Sequence, residues 1–297
     1  MPFLIIVSLI WAFSFGLIKD RLAGLDANAV AAVRLGLALL VFLPWLRPRA
    51  VRPGTAAWLL AVGAVQFGAM YALYLHAFRY LEAHEVALFT IFTPLYVALF
   101  DATLSARMRP RHLAAAGLSV IAAGVLLWSK LDNANFMLGF MLMQGSNLCF
   151  AAGQIAYKRT RPALGDKVGD AAVFGWLYLG AVLVALLACM QIGGEAGFDP
   201  VGAWRQFRPT ADQWLVLAYL GVLASGVCFF LWNLGATRVN AGTLAVFNNA
   251  KIPLAVVCSL LFFGQGADVG ELIQLTCSLA LMGGALWLTE GKKNPAE

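Results

Sequence analysis

Apolar runs of about twenty residues recur along this chain, separated by short stretches carrying Pro, Gly, Asn, Asp and Arg. A bilayer core of about 30 Å needs roughly 20 such residues per helix. Ten runs meet that length approximately: 3–18, 29–46, 56–78, 85–104, 112–129, 137–158, 171–192, 213–235, 241–263 and 270–289. The intervening residues are those that end helices. The pattern predicts an all-α membrane protein of ten transmembrane helices. The first run lacks a basic leader and a small-residue cleavage site, so it is expected to be the first span rather than a signal peptide. The longest connection runs from about Gly193 to Asp212, and no soluble domain is expected.

Composition strengthens this picture. Of the residues, 61% are apolar and only 12% charged, and the mean hydropathy is +0.79. A soluble chain carries about 25% charged residues, so its surface would be covered in apolar patches if water were the solvent. The net charge of +6 has a topological explanation. Thirteen of the 21 Lys and Arg fall in loops on the N-terminal side of the membrane, and six fall in the opposite loops. The positive-inside rule then places both termini in the cytoplasm of an inner-membrane protein. Trp45, Trp58, Trp128, Trp214 and Trp287 lie at run ends, where aromatic belts form. No basic face interleaved with aromatics suggests a nucleic-acid partner. The five cysteines form no CxxC or Cys/His cluster, so neither a metal nor a cofactor is expected. No HExxH, GxSxG or paired mid-membrane aspartates point to an intramembrane enzyme.

The two halves repeat. At an offset of 159, Pro94-Leu95 and Val97 match Pro253-Leu254 and Val256. Ser119, Gly124 and Leu127-Trp128 match Ser278, Gly283 and Leu286-Trp287. Ser8 to Trp11 match Ser146 to Cys149 more weakly. Residues 1–133 and 134–297 are therefore expected to form two five-helix repeats. An odd number of helices makes the repeats inverted, an arrangement used by secondary transporters around a midplane site.

With SLIWAFSFGLIK in the first run, VAAVRLGLALL in the second, TPLYVALF in the fourth, GLSVIAAGVLLW in the fifth and SLALMGGALWL in the tenth, the chain resembles the drug/metabolite transporter superfamily. The likeness is to its ten-helix type with two EamA repeats. It implies a basket of helices around a central cavity, a monomer, and export of metabolites, amino acids or cationic drugs. Within that group the chain is similar to amino-acid exporters, aromatic amino-acid exporters included.

Polar residues inside the runs are the candidate site. A mid-membrane Lys costs on the order of 2.5–3.5 kcal/mol on insertion scales. Lys251 lies about ten residues into the ninth run, roughly 15 Å deep. It is expected to hold a substrate carboxylate with Asn248 and Asn249 beside it; the alternative is a lysine capped by carbonyls and amides. Pro253 interrupts the same helix, and Pro94 is its counterpart. Arg34 is expected near the outer end of its helix, in a structural role, snorkelling to the headgroups. His76 is a candidate gate or proton carrier, or a bond to a neighbouring helix. Tyr71, Tyr74 and Phe78 share one face and offer stacking or packing. Trp11 sits mid-span as a candidate cavity wall. On the sixth run, Gln144, Asn147 and Gln154 are candidate cavity amides, as is Asn233 on the eighth, or else they join helices. Every Asp and Glu lies in a loop or near a helix end, which favours an uncoupled carrier over an acid-based proton relay. The expected substrate is an amino acid or similar metabolite, with a quaternary cation as the alternative.

Overall fold

A computed structural model describes residues 2–81, 86, 89–105, 110, 114, 117–118, 120–121, 136–165, 168–192, 198–199, 201–205, 207–262 and 269–290. The fifth run, with Ser119, Gly124, Leu127 and Trp128 of the repeat, lies outside the described residues apart from a few helical positions. The first four runs appear as spans Pro2–Arg21, Ala27–Phe42, Pro53–Ala77 and Thr93–Ser105. The remaining spans are Phe136–Ala163, Asp170–Cys189, Ala211–Ala236, Ala241–Phe262 and Val269–Glu290. By length and apolarity alone, four described helices suffice to cross a membrane: Ala27–Trp45, Pro53–Ala77, Asp170–Cys189 and Ala211–Ala236. The sixth and ninth spans carry Gln144, Asn147 and Gln154, and Asn248, Asn249 and Lys251 respectively, which lowers their hydropathy.

Local chemistry sets the helix ends. Asp26 accepts the backbone N–H groups of Asn28 and Ala29 and caps the second span. Thr210 and Gln213 form a capping box on the eighth. Pro53 opens the third span, where a missing N–H costs nothing. Pro94 likewise occupies the first turn of its helix, whereas Pro253 lies inside the ninth. The long connection after the seventh span contains a two-residue antiparallel pair, Gln191–Ile192 with Phe198–Asp199.

The sixth span is longer than expected, at 28 residues, or about 42 Å. Its last turns carry Lys158, Arg159 and Arg161. Lys158 donates to the Val239 carbonyl at 2.9 Å. Arg159 lies 3.6 Å from Asp101, and Arg161 pairs with Asp170. These contacts gather the basic ends of several helices at one membrane face.

The halves interlock rather than pack as separate lobes: the second and third spans lie against the seventh, and the second also against the eighth. Two glycines make the third–seventh crossing possible. A Cβ on Gly63 would lie 1.9 Å from the Leu177 carbonyl oxygen, and one on Gly180 would lie 2.0 Å from that of Leu60. Only a missing side chain permits backbones this close. Gly153 similarly admits Gln66, and Gly145 admits Leu73. Gly283 and Gly284, expected to act the same way, have no described atom within 4 Å of such a Cβ. The outer surface is apolar: Leu40, Leu187, Leu215 and Trp287 are all more than half exposed. Lipid is the solvent for such a surface.

Two spans contain wide π-helical turns, Ala64–Ala69 in the third and Tyr219–Val227 in the eighth. A π turn loosens the normal backbone ladder, and such turns recur at functional sites. Here the carbonyls of Ala224 and Ser225 receive side-chain donors: Trp11 Nε1 at 2.9 Å and the Tyr178 hydroxyl.

Candidate functional site

Between the two halves lies a cavity of about 90 Å³. Trp11, Ser14 and Ile18 of the first span form one side, and Arg34 of the second forms another. Met70, Tyr71 and Tyr74 come from the third span, and Thr90 and Thr93 from the start of the fourth. Met143, Ser146, Asn147 and Phe150 come from the sixth, at spacings that place them on one helical face. Phe229 and Lys251 complete the lining.

Two cations reach this cavity. Arg34 is 2% exposed. Its Nη2 donates to the Tyr71 hydroxyl at 2.8 Å and to the Ser225 hydroxyl at 3.2 Å. Those two hydroxyls are 2.9 Å apart and share a further bond. The guanidinium also sits 4.6 Å from the Tyr71 ring centre. Its Nε and Nη1 have no partner among the described residues. The expected snorkelling to the headgroups is therefore corrected: three helices hold Arg34 in the cavity wall. It begins two turns into its helix, and its rotation aims it inward.

Lys251 is 8% exposed, with Nζ 5.6 Å from the Trp11 ring centre. It has no hydrogen bond or ion pair among the described residues. No described lining residue is a carboxylate. A buried charge without a counter-ion is costly. Two in one cavity make a site that an anion would stabilise.

The aromatic wall is continuous. Trp11 packs on Phe229 at 4.8 Å and on Trp232 at 5.0 Å. Tyr71 meets Tyr74 edge-on at 6.1 Å, and Tyr74 meets Phe78 at 5.2 Å. The polar wall is tied down. Asn147 Nδ2 donates to the Phe89 carbonyl at 2.7 Å, and its Oδ1 accepts from Thr93 at 3.1 Å. Asn147 thus lines the cavity and fixes the turn leading into the fourth span.

Of the candidates read from sequence, Lys251, Trp11, Tyr71, Tyr74 and Asn147 line this cavity. Six other candidates are not among its described lining. Asn249 Nδ2 donates to the Ile91 carbonyl at 3.1 Å, joining the ninth span to the fourth. His76 Nδ1 lies 2.7 Å from the Ala72 carbonyl of its own helix. Asn248 and Gln154 are fully buried, and both amide atoms of each lack a partner among the described residues. Gln144 accepts from the Tyr96 hydroxyl at 2.9 Å. Asn233 pairs with Gln66, with amide contacts of 3.0 and 3.3 Å.

Ser225, Ser146, Thr90, Thr93, Phe150 and Phe229 were not singled out from sequence. Ser146 and Phe150 share the helical face of Asn147, so periodicity alone would have found them. Ser225 depends on a π turn, which leaves no simple sequence mark.

The family model described as "EamA-like transporter family" matches residues 1–128 and 137–289. The biotin transporter of Salmonella typhimurium is 40% identical over 270 residues, covering 89% of this chain and 85% of that protein. The probable biotin transporter of Pseudomonas aeruginosa is 40% identical over 290 residues, covering 97% and 96%. An aromatic amino acid exporter of Ancylobacter novellus is 26% identical over 234 residues, covering 77% and 74%. A solved crystal structure aligns with a TM-score of 0.76 at 18% identity over 97% of this chain and 95% of its own, a likeness of fold.

Proposed function

The chain belongs to the EamA-like transporter family, and from that premise we propose that it carries biotin, or a closely related monocarboxylate, across the bacterial inner membrane. It is a multi-pass membrane transporter of a small molecule rather than an enzyme.

One observation carries the substrate reading. Arg34 and Lys251 are both buried at a cavity whose described lining offers no carboxylate. A monocarboxylate with an apolar body and neutral hydrogen-bonding groups complements that site. Its carboxylate takes the free N–H groups of Arg34 and the Lys251 ammonium. Its body lies against Trp11, Tyr74 and Phe229. Its neutral polar end meets Ser146, Thr90 and Thr93. The biotin transporters at 40% identity supply the specific candidate.

An amino acid is the second reading, favoured by the aromatic wall and by the Ancylobacter relative. Its ammonium, however, would enter beside two cations with no acid among the described lining residues. A quaternary cation fares worse. The aromatic faces it would use already carry the protein's own cations, Arg34 over Tyr71 and Lys251 over Trp11.

Residues 1–133 and 134–297 act as the two inverted repeats and alternate access around this site, with both termini in the cytoplasm. The cavity has room for only a few waters. A bicyclic acid therefore needs its aromatic wall to move, as a change of access requires. One chain lines a whole site, so a monomer suffices. With His76 bonded within its own helix and no lining acid described, the substrate gradient alone drives transport. Counterflow in proteoliposomes, with labelled biotin, an aromatic amino acid and a quaternary ammonium ion tested separately, checks the reading. Exchange of biotin is expected. Exchange of the amino acid alone would overturn the substrate assignment.

A further inference from the structure

A second cavity, of about 240 Å³, opens where the first span turns into the second. Its walls are apolar: Ile18, Leu22, Leu25, Val30, Leu75 and Phe78. Among the described residues, the one charged residue lining it is Arg79. Ile18 lines the central cavity as well, so a single side chain stands in both walls. The aromatic series runs the same way. Phe78 lines the larger cavity and meets Tyr74, which meets Tyr71, whose hydroxyl holds Arg34. A cation thus stands at each end of an aromatic path about two helical turns long.

Arg79 is already engaged by a carboxylate. Its Nη2 lies 3.5 Å from Asp26 Oδ2, while Asp26 Oδ1 caps the second span. The Arg79 side chain is 53% exposed and that of Asp26 16%. The pair is long and accessible, the kind that holds its partner weakly. Asp26 is anchored by its cap, so Arg79 is the partner free to turn to another carboxylate.

We propose that this cavity is an entrance vestibule that binds a monocarboxylate before it reaches the central site: Arg79 exchanges Asp26 for the substrate carboxylate, and the apolar walls take the substrate's body. The inference rests on the monocarboxylate reading above. It adds a second binding site and assigns Arg79 its role. Once turned from Asp26, the Arg79 guanidinium at the mouth of a low-dielectric cleft attracts ions of opposite sign. From the vestibule the carboxylate passes Ile18 and the Tyr74 ring to Arg34 and Lys251. With the termini in the cytoplasm, this entrance faces away from it.

Ala23 lines the vestibule and is exposed, so it provides a reporter. The full chain is prepared with its native cysteines replaced and Ala23→Cys added, with folding checked by transport. Anionic and cationic methanethiosulfonates of similar size are then compared. The anionic reagent is expected to react about two- to fivefold faster relative to its partner with Arg79 present than with Arg79→Gln, and high salt is expected to shrink the difference. Biotin is expected to slow the reaction even when Lys251→Met has disabled the central site, and biotinamide is not. Protection that vanishes with Lys251→Met, or rates indifferent to Arg79, would overturn the vestibule. Failure of the central-site reading looks different: it is transport that survives Lys251→Met. If the cysteine-replaced chain does not fold, stopped-flow tryptophan fluorescence of the otherwise unaltered chain serves. Biotin association is expected to slow about two- to fivefold in Arg79→Gln and to recover in Arg79→Lys. An unchanged rate in Arg79→Gln contradicts the proposal.

Discussion

The two cationic corners of the cavity are built in opposite ways. At one, Arg34 is gripped by hydroxyls from the third and eighth spans and lies over an aromatic ring. At the other, Lys251 meets only the face of Trp11 among the described residues. Both charges are buried, yet among the described residues one is solvated by hydroxyls and the other is not. The difference teaches which charge is scaffold and which is bait. Arg34 links three helices and leaves Nε and Nη1 without a partner among the described residues. Lys251 contributes a charge that no described residue compensates, and that an incoming anion would.

Removing Lys251 should have the largest effect. Lys251→Met is expected to weaken biotin binding by about 100-fold or more, since losing one partner of a buried charge pair costs roughly 2–5 kcal/mol. The same change removes an uncompensated buried charge, so the ligand-free protein should gain about 1 kcal/mol or more of stability. Binding titration and thermal unfolding of the same sample check both. A loss of stability together with binding would mean that Lys251 is a structural lock.

Adding ligand should separate the corners next. A saturating ligand at about 100 times its Kd stabilises a protein by about 2.7 kcal/mol. Biotin should raise the unfolding temperature of the wild type far more than that of Lys251→Met. Arg34→Lys keeps the charge but loses the planar fork. It should cost about 1–3 kcal/mol of stability, because Tyr71 and Ser225 lose a donor. Its binding defect should be smaller than that of Lys251→Met. The smallest effect should come from Trp11→Phe, which removes the bond to the Ala224 carbonyl and weakens the ring under Lys251. About 1 kcal/mol of binding or stability is expected to be lost.

Much of the fold was legible because hydrophobic length is a strong constraint in a bilayer. Outside 112–129, the described residues of each run are almost all helical. The misfits have physical causes. The sixth span continues past its apolar stretch because Lys158, Arg159 and Arg161 find partners there. In the fourth, Val86 and Phe89 are already helical, and Thr90–Phe92 tighten the helix before Thr93.

The site was legible in part. Lys251 stood out by cost, and Trp11, Tyr71, Tyr74 and Asn147 by depth and helical face. Arg34 was misplaced because distance from a helix end says nothing about which way a side chain is turned. Asn249 and His76 show a further limit. A polar residue in a membrane must find a partner, but the sequence does not say whether that partner is a ligand, another helix or its own backbone. The π turn that brings Ser225 to Arg34 has no periodic signature at all.

The central claim is that two buried cations hold a carboxylate, and the charge of the ligand tests it most directly. In proteoliposomes holding the wild-type protein, counterflow of labelled biotin would be competed with unlabelled biotin and with biotinamide, which keeps the shape and loses the charge. The account predicts strong competition by biotin and little by biotinamide, the gap being about 100-fold in concentration. Equal competition by both would contradict it, because a site that ignores the carboxylate has no use for Arg34 and Lys251 together.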